Sequence, residues 1–173
     1  MSEDFSLREL SRLRADFPIL GRVGRGGQAI AYLDFSATSQ KPTPVIEAIT
    51  EFYRSTNGAV HRGTHLLGDE STAAFEEGRS VLASFIGARA DEIVWTKNAT
   101  EAINLVALAI RNATGLGEST GNPLALAPGD RIVVTRAEHH ANLVPWQQLC
   151  QATGAELRWL DLHEDGRIDT DTL

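Results

Sequence analysis

The chain of 173 residues has a single cysteine, Cys150. One cysteine excludes an internal disulfide and a cysteine-built metal cage, so a reducing, cytoplasmic setting is expected. Basic residues are also scarce, with 16 Lys and Arg against 23 Asp and Glu for a net charge of −7. Phosphate backbones are bound by clustered cations, which argues against a general nucleic-acid surface. Long apolar runs are missing as well. Residues 1–16 mix acids with arginines and offer neither a signal peptide nor a membrane span, so no membrane association is expected. Without a secretion signal, the Asn-Ala-Thr triplets at Asn98 and Asn112 read as chance matches to a glycosylation pattern. What is there, 42% apolar and 23% charged residues, suits one globular domain with a substantial core.

Periodicity supplies the elements. Leu7, Leu10 and Leu13 recur at helical spacing across residues 6–14. The glycines of 21–27 then break regularity. Gly24-Arg25-Gly26-Gly27-Gln28-Ala29 imitates a dinucleotide fingerprint, but the strand-like run Ala29 to Leu33 follows the glycines where that motif needs it before them. From Pro42, the residues Val45, Ile46, Ile49, Phe52 and Tyr53 mark a helix that Asn57-Gly58 stops. A second helix is expected to start near Asp69 or Ser71, carrying Ala74, Phe75, Val81, Leu82, Phe85 and Ile86 as far as Gly87. Both stripes read as core packing.

Beyond Gly87 strand and helix alternate. The reading is a strand Glu92 to Thr96, a helix Ala99 to Ile110 buried on most sides, and an irregular loop over 111–127. A strand Arg131 to Thr135, a helix Pro145 to Thr153 and a strand Glu156 to Leu160 follow. This βαβαβ series predicts an α/β fold with a mainly parallel sheet and flanking helices. After the Asp165-Gly166 turn, Asp169 to Thr172 offers helix-start residues with no helix behind them. The sheet is therefore expected to be incomplete, and the chain to be part of a longer protein.

Three segments carry chemistry. A helix beginning at Asn98 or Ala99 presents free backbone N–H groups and a partial positive charge, a natural anion site to which Thr100 adds a hydroxyl. Capping alone, Asn98 with Glu101 three residues on, explains the same residues without a ligand. The second segment, Glu138-His139-His140-Ala141-Asn142, follows a parallel strand, at the sheet edge where open α/β folds take their ligands. An imidazole there suits a planar cofactor and a moving proton. The third, Val60-His61-Arg62-Gly63-Thr64-His65, spaces two histidines like a metal pair; Gly63 and the want of a third ligand weigh against a metal, and none is expected.

In order and spacing, Tyr32-Leu33-Asp34, Ser39-Gln40-Lys41-Pro42, Val60-His61-Arg62-Gly63, Asn98 to Asn104 and Glu138 to Asn142 with Val144-Pro145-Trp146 resemble the SufS/CsdA-type cysteine desulfurases. These are class V, fold-type I enzymes dependent on pyridoxal 5′-phosphate, and the likeness runs from about Asp16 onward. With the helix and Gly-rich turn read over 1–30, it implies over 31–173 the first portion of the family's major domain, α/β and truncated.

By the same resemblance Ala99 and Thr100 would hold the cofactor phosphate, and His139 would stack on the ring and move protons. His61 and Arg62 would face the substrate, and Ser36 and Ala37 would line its pocket. Asn142 would fix a local turn. Phe35 departs from the smaller residues usual after the aspartate, and Cys150 matches a non-catalytic position. The Schiff-base lysine, the aspartate for the ring nitrogen, the catalytic cysteine and the carboxylate-binding arginine all come later in the family's order, and neither Lys41 nor Lys97 is that lysine. The resemblance implies sulfur transfer from L-cysteine, release of L-alanine, a homodimer and a sulfur-acceptor protein of iron–sulfur cluster assembly, with the 173 residues inactive by themselves. A selenocysteine lyase or another class V lyase, and a non-catalytic truncated protomer serving as an interaction module, are the alternatives.

Overall fold

The computed structural model describes residues 5–115 and 121–172. The chain divides into two units, 1–93 and 94–173.

The first unit is helical. Helix α1, Leu7–Ala15, is started by a capping box in which Glu9 N–H donates to Ser6 Oγ and Ser6 N–H donates to Glu9. Helix α2, Thr43–Glu51, widens into a π-helical turn, Phe52–Thr56, and ends where Asn57 leaves helical geometry. Helix α3, Leu66–Ile86, begins ahead of the Asp69 or Ser71 expected from sequence. The reason is an uncommon cap: Nδ1 of His65 accepts the Gly68 N–H at 3.3 Å. Its other end falls at Gly87, whose φ of 71° is the left-handed conformation that glycine adopts without strain.

The second unit contains a βαβ arrangement. Helix α4, Ala99–Gly115, leads by way of residues 121–130 to strand β1, Arg131–Thr135. Helix α5, Val144–Thr153, then crosses over to strand β2, Glu156–Leu160, which pairs parallel with β1 in the register Arg131 to Glu156 through Thr135 to Leu160. Leu149, Cys150 and Pro145 of α5, Ala107 and Ala113 of α4, Val134 and Ala155 are buried. They form the core of this unit.

Several expectations are corrected. Residues 93–96 lie outside any sheet ladder, after a single turn at Ala90–Glu92; Ile93 is extended, but its carbonyl, which a neighbouring strand would use, accepts from Arg79. Of the run Ala29 to Leu33, Ala29 makes one isolated bridge with Val23, and the Ile30 carbonyl accepts from Arg14 at 2.7 Å. An arginine in each place takes the acceptor that a ladder needs. The βαβαβ series is thus reduced to one βαβ unit. Helix α4 runs on to Gly115, into the expected loop of 111–127, and part of that loop, 116–120, lies outside the described residues.

The two apolar stripes pack only in part: Phe52, Phe75 and Leu82 are half-buried, but Tyr53 of the turn after α2 is 70% exposed and Phe85 of α3 86%. Helix α4, expected to be buried on most sides, exposes Leu105, Val106 and Leu108. Periodicity reports which face wants burial, and here much of each face stays uncovered.

Candidate functional site

In the second unit the α4 terminus is built by its own residues. Asn98 Oδ1 accepts the Glu101 N–H at 2.9 Å, and Ala102 N–H donates to the Asn98 carbonyl. Glu101 turns back: Oε2 accepts the Lys97 N–H at 2.6 Å, and Oε1 lies 3.4 Å from Lys97 Nζ. Its carboxylate is therefore engaged with Lys97. The N–H groups of Ala99 and Thr100 and the Thr100 hydroxyl remain exposed, with no acceptor among the described residues. Such donors at a helix N-terminus suit an anion.

Helix α4 packs against the turn His140–Asn142, so the unit brings together the two segments that sequence paired. His139 caps this turn, its Nδ1 accepting the Ala141 N–H at 3.1 Å. That bond places the proton of the neutral ring on Nε2. The ring is exposed and meets His140 edge-on, centroids 6.1 Å apart.

Behind it runs a polar chain that sequence reading reduced to one residue. Glu138 accepts from Thr135 Oγ1 at 2.8 Å and from Asn142 Nδ2 at 2.7 Å, and Asn142 Oδ1 accepts from the Trp146 indole at 2.9 Å. Asn142 does fix the local turn. Bonds from Asn142 and Thr135 hold the Glu138 carboxyl below the ordinary carboxylate range. The spacing of 138, 142 and 146 by four was the signal available for this chain of contacts.

In the first unit, Ser36 and Ala37 lie on an exposed turn tied by Tyr32, whose hydroxyl donates to the Asp34 and Thr38 carbonyls at 3.0 and 2.6 Å. Phe35 packs edge-on against Tyr32 at 5.0 Å. His61 sits on a loop clamped to α3. The fully buried Ser71 accepts the Gly58 N–H at 2.8 Å and donates to the Thr56 carbonyl at 2.6 Å. Thr72 Oγ1 accepts the His61 N–H at 2.9 Å, and His61 Nε2 meets Glu76 Oε1 at 2.8 Å. Arg62 is exposed beside it. Ser71, Thr72 and Glu76 went unnoticed in sequence, because nothing local links a helix residue to a loop ten or more positions earlier.

Burial pushes the Cys150 thiol up. A buried thiol of raised pKa is a poor nucleophile, which fits the non-catalytic position assigned to it. At mildly alkaline pH it is expected to react with a disulfide reagent about tenfold more slowly in the folded protein than in denaturant, followed by absorbance. Equal rates would show an accessible thiol.

Residues 31–173 match the family model described as aminotransferase class-V. The chain is 53% identical over 165 residues to a probable cysteine desulfurase 2 of Mycobacterium leprae (strain TN), covering 95% of this chain and 38% of that protein. It is similar in structure to the apo cysteine desulfurase from Thermococcus onnurineus NA1, with a TM-score of 0.79 and 37% identity, over 98% of this chain and 38% of that one. Against the cysteine desulfurase CsdA of Escherichia coli the TM-score is 0.69 at 39% identity, over 93% and 36% of the two chains. The chain thus spans a little over a third of the length of these relatives.

Proposed function

Because this chain belongs to the class-V aminotransferase family, we propose that it is part of a pyridoxal 5′-phosphate enzyme taking sulfur from L-cysteine. L-Alanine is the product of that reading, and the sulfur passes as an enzyme persulfide to an acceptor protein for iron–sulfur cluster assembly. Residues 31–173 are then a portion of the major domain, preceded by an N-terminal arm over 1–30, and the complete enzyme is a cytoplasmic homodimer.

One observation carries the cofactor assignment: Ala99 and Thr100 hold unused N–H and hydroxyl donors at the start of α4 while Glu101 is bonded to Lys97. The donor set fits a phosphate group. When bound, pyridoxal phosphate supplies an electron sink for charge developing at the substrate α-carbon. The protein's residues do the rest. Ala99 and Thr100 bind the phosphate, and His139 holds the ring with a proton stored on Nε2. The chain from Thr135 through Glu138 and Asn142 to Trp146 fixes the His139 turn. His61, Arg62, Ser36 and Ala37 serve the amino-acid substrate.

Fluorescence titration with pyridoxal phosphate, and with unphosphorylated pyridoxal as the comparison, tests this reading. Ala99→Pro removes one donor at the first helical position, where proline is tolerated, and Thr100→Val removes the hydroxyl at constant shape. Each is expected to weaken phosphate-dependent binding about tenfold, the value of one charge-assisted bond, with unchanged circular dichroism. Equal affinity for the two ligands, unaffected by either substitution, would sink it.

A further inference from the structure

We propose that Glu76 is the positioning residue of His61, accepting a hydrogen bond from Nε2–H so that the proton stays on Nε2 and Nδ1 is left as the acceptor for a ligand. Three observations within the first unit converge. First, the backbone of His61 is strained: its φ of 61° is the left-handed region, and among the described residues it is the one non-glycine there. Such strain costs about 1–3 kcal/mol and persists only where the surroundings dictate it.

Second, the surroundings do dictate it. Gly68, Ser71, Thr72, Phe75, Glu76 and Arg79 form one stripe of α3, spaced by three and four residues. Thr72 holds the His61 N–H, Phe75 meets the imidazole edge-on at 5.8 Å, and Glu76 takes Nε2 at 2.8 Å. Third, the carboxylate is itself fixed. Arg79 Nε donates to Glu76 Oε2 at 3.0 Å, its guanidinium lies 5.1 Å from the Phe75 ring centre, and its other arm donates to the Ile93 carbonyl. An isolated surface pair has little worth, because two long side chains must be ordered to make it. Here the helix, the aromatic ring and the arginine already supply that order.

Nε2 lies 2.8 Å from Glu76 Oε1, within reach of an N–H···O bond; in the tautomer that makes this bond, the lone pair is on Nδ1, which has no partner among the described residues. A carboxylate that selects a tautomer in this way makes the other nitrogen a better proton acceptor. Under the desulfurase reading, on which this last step rests, the group accepted is the ammonium or thiol of the amino-acid substrate. A proton taken from sulfur would leave a thiolate and an imidazolium paired with Glu76.

Nitrogen-15 labelling of the histidines in this chain, with long-range proton–nitrogen correlation at about pH 8.5, two units above an ordinary imidazole pKa, tests the proposal. His61 is expected as the Nε2–H tautomer, unlike the exposed His163. In Glu76→Ala it should fall to the mixture shown by His163, and in Glu76→Gln, which preserves shape and folding, partway there. A mixed His61 in the wild type, or a tautomer unmoved in both variants, overturns the proposal. When L-cysteine is added to the chain, it is expected to shift the His61 Nδ1 signal, with affinity about tenfold weaker in Glu76→Ala. Absence of that shift in the wild type, with the tautomer result intact, overturns the substrate assignment instead and leaves the positioning role standing.

Discussion

Replacing Gly68 with alanine is expected to destabilise the first unit by about 2–4 kcal/mol, an overpacking cost added to lost loop bonds. A Cβ at Gly68 would stand 2.6 Å from Gly63 Cα and 3.0 Å from its carbonyl carbon, both backbone atoms that cannot rotate away. The loop would have to lift from α3. Lifting it removes the bonds from Gly58 to Ser71 and from His61 to Thr72, and the His61–Glu76 pair with them. Against a total stability of roughly 5–15 kcal/mol this is a large share. Gly78, on the same helix with open space around it, is the control. Gly78→Ala should stabilise by about 0.5–1 kcal/mol through helix propensity alone. Urea unfolding followed by circular dichroism separates the two, and a Gly68→Ala protein as stable as Gly78→Ala would show that the loop is not held by this contact.

Asn142→Ala is expected to cost about 2–3 kcal/mol, because it strands the Trp146 indole and removes a donor from a charged carboxylate. It should also change the acid limb of stability. The folded Glu138 carboxyl titrates below its ordinary value, chiefly through Asn142 and then Thr135. Its contribution is therefore present above the unfolded carboxylate pKa and is lost as pH falls through the lower folded value. The folded protein binds fewer protons than the unfolded chain in that window, so stability rises with pH there. Without Asn142 the Glu138 resonance should titrate closer to an ordinary glutamate and the acid limb should flatten. Carbon-13 titration of the carboxyls reads the first effect, and denaturation at a series of acid pH values the second. A Glu138 titration identical in the two proteins would show that Asn142 does not set it.

Elements closed by local chemistry were legible. Strands Arg131–Thr135 and Glu156–Leu160 and the crossover helix between them stand where apolar runs and turn residues put them, because Gly154 ends the helix at φ 79° and the parallel register follows. The Gly87 stop has the same cause. Misreadings came from partners far off in the chain. Ile30 and Ile93 look like strand residues, but arginines 16 and 14 positions away take their carbonyls. His65 caps α3, though histidine is not a residue that announces a cap.

The site divides along the same line. Sequence by itself determined which residues have the chemistry: donors at Ala99 and Thr100, imidazoles at His61 and His139, the family's order of motifs. It could do so because capping, helix polarity and side-chain type act over a few residues. Only the tertiary structure decided how those groups are held. It set a strained His61 against Glu76, Thr72 and Phe75, eleven to fifteen residues further along the chain, whereas Glu101 with Lys97 and Glu138 with Asn142 are pairs four residues apart. The physical reason is that a hydrogen bond is set by distance and angle in space, and a loop folded back on a helix brings together residues that no sequence period connects.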